Sequence, residues 1–336
     1  MVDVMNRKAL DLSNIQWLVL DEADEMLNMG FKDELDKLLK DTPKDKQTLL
    51  FSATFPKEVE RIAKNYLVNP HEMSAGKKNT GADSVTHKYF EITPRNRYYA
   101  LKRIVDVNPG IYGIVFCRTK RETQEVADKL INDNYNADSL HGDLSQVQRD
   151  VVMKKFRQKN LQILVATDVA ARGLDVNDLT HVINYNLPDQ AAAYTHRSGR
   201  TGRAGKKGDS MVLVSGREKG RLAEIERKIG KKFVKTAVPN GKEVCRNQVY
   251  HLIDRVKEAE VNESEIKEFL PKIYEKLADF DREELIKRFV SLEFNIFLSY
   301  YENTADLNVE HASNDSENMT RYFINIGKKD HLSPSK

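Results

Sequence analysis

The sequence predicts an α/β fold, a parallel sheet packed between helices and followed by an α-helical extension. Three observations carry this. Short apolar runs alternate with amphipathic segments from the opening to about residue 235, the signature of strand–helix–strand units. Several runs are apolar on both faces, as parallel strands covered on two sides must be. After Pro239 the strand-like runs cease and helical periodicity takes over.

The strand candidates, in order, are "WLVL", "TLLFSAT", "HKYFEIT", "YGIVFCRT", "ADSLHG", "QILVATD", "THVINYN" and "DSMVLVS". Between them "KRETQEVADKLIND" and "SQVQRDVVMKKFRQ" place apolar residues at helical spacing. The stretch 70–84, rich in Gly, Asn, Ser and Lys, is a linker between two α/β units. The unit 85–235 is complete. The unit 1–69 offers two clear strands, too few for an open parallel sheet without long unpaired edges. Beyond it, 240–301 holds three amphipathic patterns, with Pro271 starting or kinking one. Residues 302–320 are polar and weakly patterned, a flexible linker. Residues 321–336 begin like a new strand and stop.

Composition narrows the function classes. At 40% hydrophobic and 31% charged residues the chain is a globular protein. A net charge of +3 is too small to mark a nucleic-acid binder by itself, so local basic clusters must do so. Cys117 and Cys245 are isolated, which excludes a disulfide framework and a four-thiol zinc site and points to the reducing cytoplasm. No apolar run is long enough to span a bilayer, so no membrane partner is expected.

Four stretches carry chemistry. "DEAD", Asp21–Asp24, follows "WLVL" at a strand's carboxyl end, where ligands of open α/β sheets bind. Carboxylates there can hold Mg²⁺ or orient a hydrolytic water; the same acids also suit a helix N-terminus. "SAT", Ser52–Thr54, places two hydroxyls within reach of a neighbouring strand-end acid, or is an ordinary strand exit. "YTHRSGRTGRAGKKG" repeats arginine every three residues at Arg197, Arg200 and Arg203, with Gly199 and Gly202 between. Arginine forks match phosphate oxygens, and glycines inside a helical pattern need a reason. "VATDVAARGLDV" puts Thr167, Asp168, Arg172 and Asp175 on a strand end and its loop.

Together these motifs resemble the DEAD-box ATP-dependent RNA helicases of superfamily 2. "DEAD", "SAT", "IVFCRT", "QVQR", "ATDVAARGLD" and "HRSGRTGR" stand in the family's order between Leu10 and about Lys235. The resemblance implies RecA-like domains, the first partial and the second complete. It implies ATP and Mg²⁺ as cofactors and RNA as partner, with ATP hydrolysis coupled to local duplex unwinding or ribonucleoprotein remodelling. Asp21 would hold Mg²⁺ through water, and Glu22 would be the general base. Gly173 and Asp175 would contact ATP, Asp175 at the ribose. Arg200 and Arg203 would be arginine fingers, a role worth roughly 10³–10⁵ in rate. Asp24 would couple hydrolysis to RNA through Ser52, Thr54, His196 and Arg197. Thr119, Gly142, Arg149 and Thr167 would touch RNA phosphate or sugar, which specifies no sequence.

One departure is large. No Gly-x-x-x-x-Gly-Lys-Ser/Thr loop occurs in the 336 residues, nor do the family's other motifs that precede "DEAD". The expectation is therefore the C-terminal part of a longer helicase, inactive alone, with 321–336 resembling the start of an RNA-recognition-motif-like domain. The helical extension stands where related bacterial helicases have a linking or dimerisation region, which implies a homodimer; a buttress on the second domain is the other reading. Two alternative functions remain open: a non-catalytic RNA-binding or assembly module, and a DNA-directed superfamily 2 helicase.

Overall fold

A computed structural model describes residues 1–28, 30–74, 84–172, 174, 176, 179–203, 205–301 and 306–308. Gly173, Asp175, most of the 70–84 and 302–320 linkers and all of 321–336 lie outside the described residues.

The first unit is small. Helix α1 (Val2–Asn6) precedes β1 (Trp17–Leu20), α2 (Ala23–Asn28), α3 (Lys32–Lys40), β2 (Gln47–Leu50) and α4 (Lys57–Tyr66). β1 and β2 pair in parallel, Leu20 opposite Leu50, and form a two-stranded sheet. Alternation along β1 turns Leu18 and Leu20 toward a cluster with Leu35, Leu39 and Ile62, and leaves Trp17 and Val19 exposed.

The second unit is a seven-stranded, all-parallel sheet. Its strands are β3 (Val85–Glu91), β4 (Gly113–Phe116), β5 (Ala137–Leu140), β6 (Ile163–Ala166), β7 (His181–Asn184), β8 (Gly208–Val214) and β9 (Val234–Lys235). They lie in the order β5-β6-β4-β7-β8-β3-β9. The connecting helices are α5 (Arg97–Asp106), α6 (Lys120–Asn132), α7 (Gln146–Arg157), α8 (Asp168–Ala171), α9 (Ala191–Ser198) and α10 (Lys219–Ile229). All four residues of β4 and of β6 are buried, because the helices cover both faces. Ile163, Val165 and Ile183 face one core layer; Leu164, Ala166 and Val182 face the other. Capping is explicit in the sequence: Ser145 and Gln148 form a reciprocal box at the start of α7, and Thr119 caps α6.

All eight strand candidates are strands. The ninth, β9, lay in "KKFVKT" and pairs with β3 through only two residues, too few for an alternating pattern.

The extension comprises α11 (Gly241–Glu258), α12 (Glu263–Ile266), α13 (Leu270–Leu277) and α14 (Arg282–Tyr301). Pro271 stands in the first turn of α13, where its missing N–H costs nothing. Helix α11 buries Val244, Cys245 and Val249, and its Asn247 and Gln248 amides donate to the carbonyls of Val107 and Asp106 at 3.0 and 2.6 Å. The Tyr301 hydroxyl reaches back to the Asp106 carboxylate, which Tyr135 also meets. The two ends of the extension are thus seated on the second unit, as a buttress requires. Among the described residues no helix is long and apolar enough to cross a membrane.

Candidate active site

The ladder between β1 and β2 continues one step past the strands. Phe51 N donates to Leu20 O at 2.7 Å and Ala23 N to Phe51 O at 3.1 Å, so "DEAD" and "SAT" leave the sheet side by side. Between them the chain turns sharply. Glu22 has φ +51°, in the left-handed region, which costs a non-glycine residue about 1–2 kcal/mol. That turn presents Asp21 exposed at the strand end, where its carboxylate accepts from Glu22 N at 2.9 Å. Asp24 is turned inward and is 1% exposed.

Asp24 is the hub. Its Oδ2 accepts from Thr54 N at 2.9 Å, from Thr54 Oγ1 at 2.5 Å and from His196 Nε2 at 2.9 Å. Its own amide donates to Ser52 Oγ at 3.2 Å, and Ser52 Oγ donates onward to Thr54 O at 2.6 Å. Burial pushes the Asp24 carboxyl up, but the His196 and Thr54 bonds outweigh it and hold the group well below the usual carboxylate range. His196 moves the other way. Burial alone would lower it, yet the Asp24 bond and the charges of Asp24, Glu25 and Glu22 raise it above 6.5.

His196 belongs to the second unit, so this contact crosses a cleft. Two more cross with it. Arg172 pairs with Glu25, and Arg200 Nη2 approaches Glu22 Oε1 at 3.5 Å. Arg200 is 9% exposed and is steadied by Nη1 donating to Leu174 O at 3.0 Å. The cleft lies over the carboxyl ends of the strands, where an open α/β sheet binds ligands.

The geometry redirects one predicted contact. Arg197 does not meet Asp24. Its Nε and Nη2 grip the Asp168 carboxylate at 2.5 and 2.7 Å, its Nη1 donates to Asn184 Oδ1 and Asn186 O at 2.9 Å, and its guanidinium lies 5.0 Å over the Phe116 ring. The reason is helical phase: α9 turns His196 to the cleft and its neighbour Arg197 into the sheet. The three arginines do not share one helix either. α9 ends at Ser198, capped by Gly199, and Arg200 and Arg203 lie in the turn beyond. Arg203 Nε donates to Gly199 O at 2.7 Å. Gly202 has φ +68°, and a Cβ there would come within 2.6 Å of the Val85 side chain, so only glycine fits this turn against β3.

Helix α9 is itself anchored from below. Tyr194 is fully buried, its hydroxyl 2.6 Å from His87 Nδ1 and 2.8 Å from Ser210 Oγ. Burial pushes His87 down to about 4, so it is neutral at pH 7.

The predicted RNA contacts gather on the same carboxyl edge of the sheet. Thr119 follows β4, Gly142 follows β5 and Thr167 follows β6. Thr119 and Gly142 are exposed; Thr119 and Thr167 cap α6 and α8. Arg149 on α7 donates to Ala170 O at 2.6 Å, tying α7 to α8. Gly173 and Asp175 are outside the described residues.

Asp21 fits a magnesium ion only in part. Its carboxylate is exposed and close to Glu22, but among the described residues no group of three or more acids, histidines or cysteines is arranged to hold a metal. Nucleotide phosphates and water would have to complete the shell, the usual arrangement for Mg²⁺. Glu25, Asp168, Asn184 and Asn186 received no role from the sequence, although Glu25 directly follows "DEAD" and Asp168 stands within "ATD".

Three family descriptions match: DEAD/DEAH box helicase over residues 1–62, helicase conserved C-terminal domain over 96–205, and probable ATP-dependent RNA helicase, helical domain, over 244–302. The chain is 41% identical over 263 residues to the DEAD-box ATP-dependent RNA helicase CshA of Bacillus cereus (strain ATCC 10987 / NRS 248), covering 78% of this chain and 50% of the relative. It is 38% identical over 281 residues to CshA of Bacillus subtilis (strain 168), covering 84% and 57%. The chain thus spans about half the length of the curated relatives it matches. Among solved structures it resembles S. cerevisiae Dbp5 bound to RNA and ADP BeF3, with a TM-score of 0.67 and 31% identity over 72% of this chain and 65% of that one. Its α/β fold is therefore RecA-like, and the chain belongs to the DEAD-box RNA helicase family of superfamily 2, with similarity to the bacterial CshA proteins.

Proposed function

We propose that this chain is part of an ATP-dependent RNA helicase that couples ATP binding and hydrolysis to local RNA duplex unwinding or ribonucleoprotein remodelling in the cytoplasm. One observation carries the reading: Glu22 and Asp24 from one unit face Arg200 and His196 from the other across a single cleft. Glu22 is read as the general base that orients the attacking water. Asp21 would hold Mg²⁺ through water, and bound Mg²⁺ would offset phosphate charge. Arg200 is read as the finger toward the γ-phosphate, with Arg203 beside it and Gly173 and Asp175 on the nucleotide. Asp24, Ser52, Thr54 and His196 form the coupling hub, and Arg197 supports it through Asp168. Thr119, Gly142, Arg149 and Thr167 would hold RNA through its backbone.

The phosphate-binding loop must come from outside these 336 residues, so the chain alone is expected to hydrolyse no ATP. The test joins it to a first-domain half that carries such a loop and measures RNA-stimulated ATP hydrolysis. Hydrolysis that depends on RNA and vanishes in Glu22→Gln supports the reading; no hydrolysis overturns it.

The second reading, an RNA-binding module without catalysis, is favoured by the complete second unit. It predicts ATP-independent RNA binding by 85–235 with a salt slope of about −0.7 per phosphate contacted. A competition between RNA and DNA disposes of the DNA-directed alternative. The exposed Ile273, Tyr274, Leu285, Phe289 and Leu292 of α13 and α14 support a homodimer through the extension. Light scattering across a dilution series tests this; a monomer mass throughout removes it.

A further inference from the structure

Helix α11 turns Asn247, Tyr250, His251 and Asp254 to one side, because residues three and four apart share a helix face. That side faces 107–111, the loop before β4, and Thr180 and His181 at the start of β7. The cleft between them has a volume of about 380 Å³, within the range of small-ligand pockets. It opens at the amino ends of the strands, on the opposite edge of the sheet from the candidate active site.

This cleft offers negative charge, hydrogen-bond acceptors and an aromatic face. Asp254 is exposed and has no ion-pair partner among the described residues, and no Lys or Arg lines the cleft. Asn108 and Asn247 each donate from Nδ2 to a backbone carbonyl, that of Ile104 at 2.7 Å and that of Val107 at 3.0 Å, which leaves both side-chain oxygens to accept. The Tyr250 residue is 63% exposed. His181 Nδ1 lies 2.7 Å from Thr180 Oγ1, and its buried Nε2 has no hydrogen-bond partner among the described residues. Burial holds His181 below its ordinary 6.5 despite the Asp209 charge beside it, so the ring is neutral at pH 7 and repels no cation. We propose that this cleft is a binding site for a guanidinium group, the side chain of an arginine. A guanidinium is planar, always charged, carries only donors and stacks on aromatic rings. An ammonium has the charge but no flat face. The Asp254 carboxylate, the two amide oxygens and the Tyr250 ring match a guanidinium in charge, hydrogen bonding and stacking. The site involves neither ATP nor RNA and stands apart from the functional reading above.

The experiment titrates the full chain, by calorimetry, with free L-arginine, with the blocked tripeptide acetyl-Gly-Arg-Gly-amide, and with the citrulline counterpart of each, neutral and of the same shape. At least one arginine probe should bind, and its citrulline counterpart about tenfold or more weaker, because hydrogen bonds between charged groups are the stronger. The tighter of the two arginine probes tells whether the ligand is an arginine within a protein or a free small molecule. Asp254→Asn should weaken binding about tenfold, and Tyr250→Ala about two- to fivefold. Both residues are exposed, so the fold does not depend on them, and circular dichroism checks this. Glu268→Gln, which neutralises an exposed acid outside the cleft, should leave binding unchanged. No binding of either arginine probe, equal binding of citrulline, or a loss in Glu268→Gln as large as in Asp254→Asn overturns the proposal.

Discussion

The two α/β units differ in how they hold their share of the site. The second stacks seven parallel strands between helices and buries every residue of β4 and β6. The first has two paired strands, a cluster built on Leu20, Leu35, Leu39 and Ile62, and a β1 whose Trp17 is 66% exposed. Yet the weaker unit carries the carboxylates, including a strained Glu22. Strain persists only where the surroundings over-determine it. Here part of that determination comes from across the cleft, through His196, Arg172 and Arg200.

The largest expected effect breaks the comparison outright. Residues 1–69 produced alone should fail to fold cooperatively and should aggregate through unpaired strand edges, while 84–301 should unfold in one sharp transition. Urea titration followed by circular dichroism checks both. A sharp transition for 1–69 would show that the first unit needs no support.

A smaller effect lies inside the stronger unit. Arg197→Ala removes a buried guanidinium that joins Asp168, Asn184 and Asn186. Breaking a fully buried ion pair costs about 3–5 kcal/mol. Asp168 is 39% exposed, so solvent screens it and about 2–3 kcal/mol is expected. Chemical denaturation measures it, and the first-unit contacts of Asp24 should be the lesser casualty.

The smallest effect is a pH dependence. His196 is raised, so its contribution is complete below 6.5 and is lost as pH climbs through its higher folded value. Asp24 is lowered, so its contribution is present above 3.8 and is lost as pH falls through its depressed value. The cross-cleft contact should therefore be strongest between these bounds and weaken as pH climbs through the raised His196 value. Energy transfer between the units, followed from pH 6 to 9, should fall in wild type and stay flat in His196→Ala.

Most of the fold was legible because its signals are local. Eight apolar runs became strands, and "REELIKRFVSLEFNIFLSYY" became α14. The acids, hydroxyls and arginines of the cleft were legible as motifs. Their directions were legible only in part: Asp24 meets Ser52, Thr54 and His196 as expected, but Arg197, next to His196 in sequence, is sent by helical phase to Asp168 instead. Glu25 was illegible for a related reason: its partner Arg172 lies in another unit, far along the chain.

If the second unit organises the first across the cleft, hydrogen exchange at the Asp24 and Thr54 amides registers it, because both amides donate within the hub. In the double variant Arg172→Ala, His196→Ala these amides should exchange markedly faster, while those of β4 and β6 keep wild-type protection. Unchanged exchange at Thr54, or equal acceleration in both units, would contradict it.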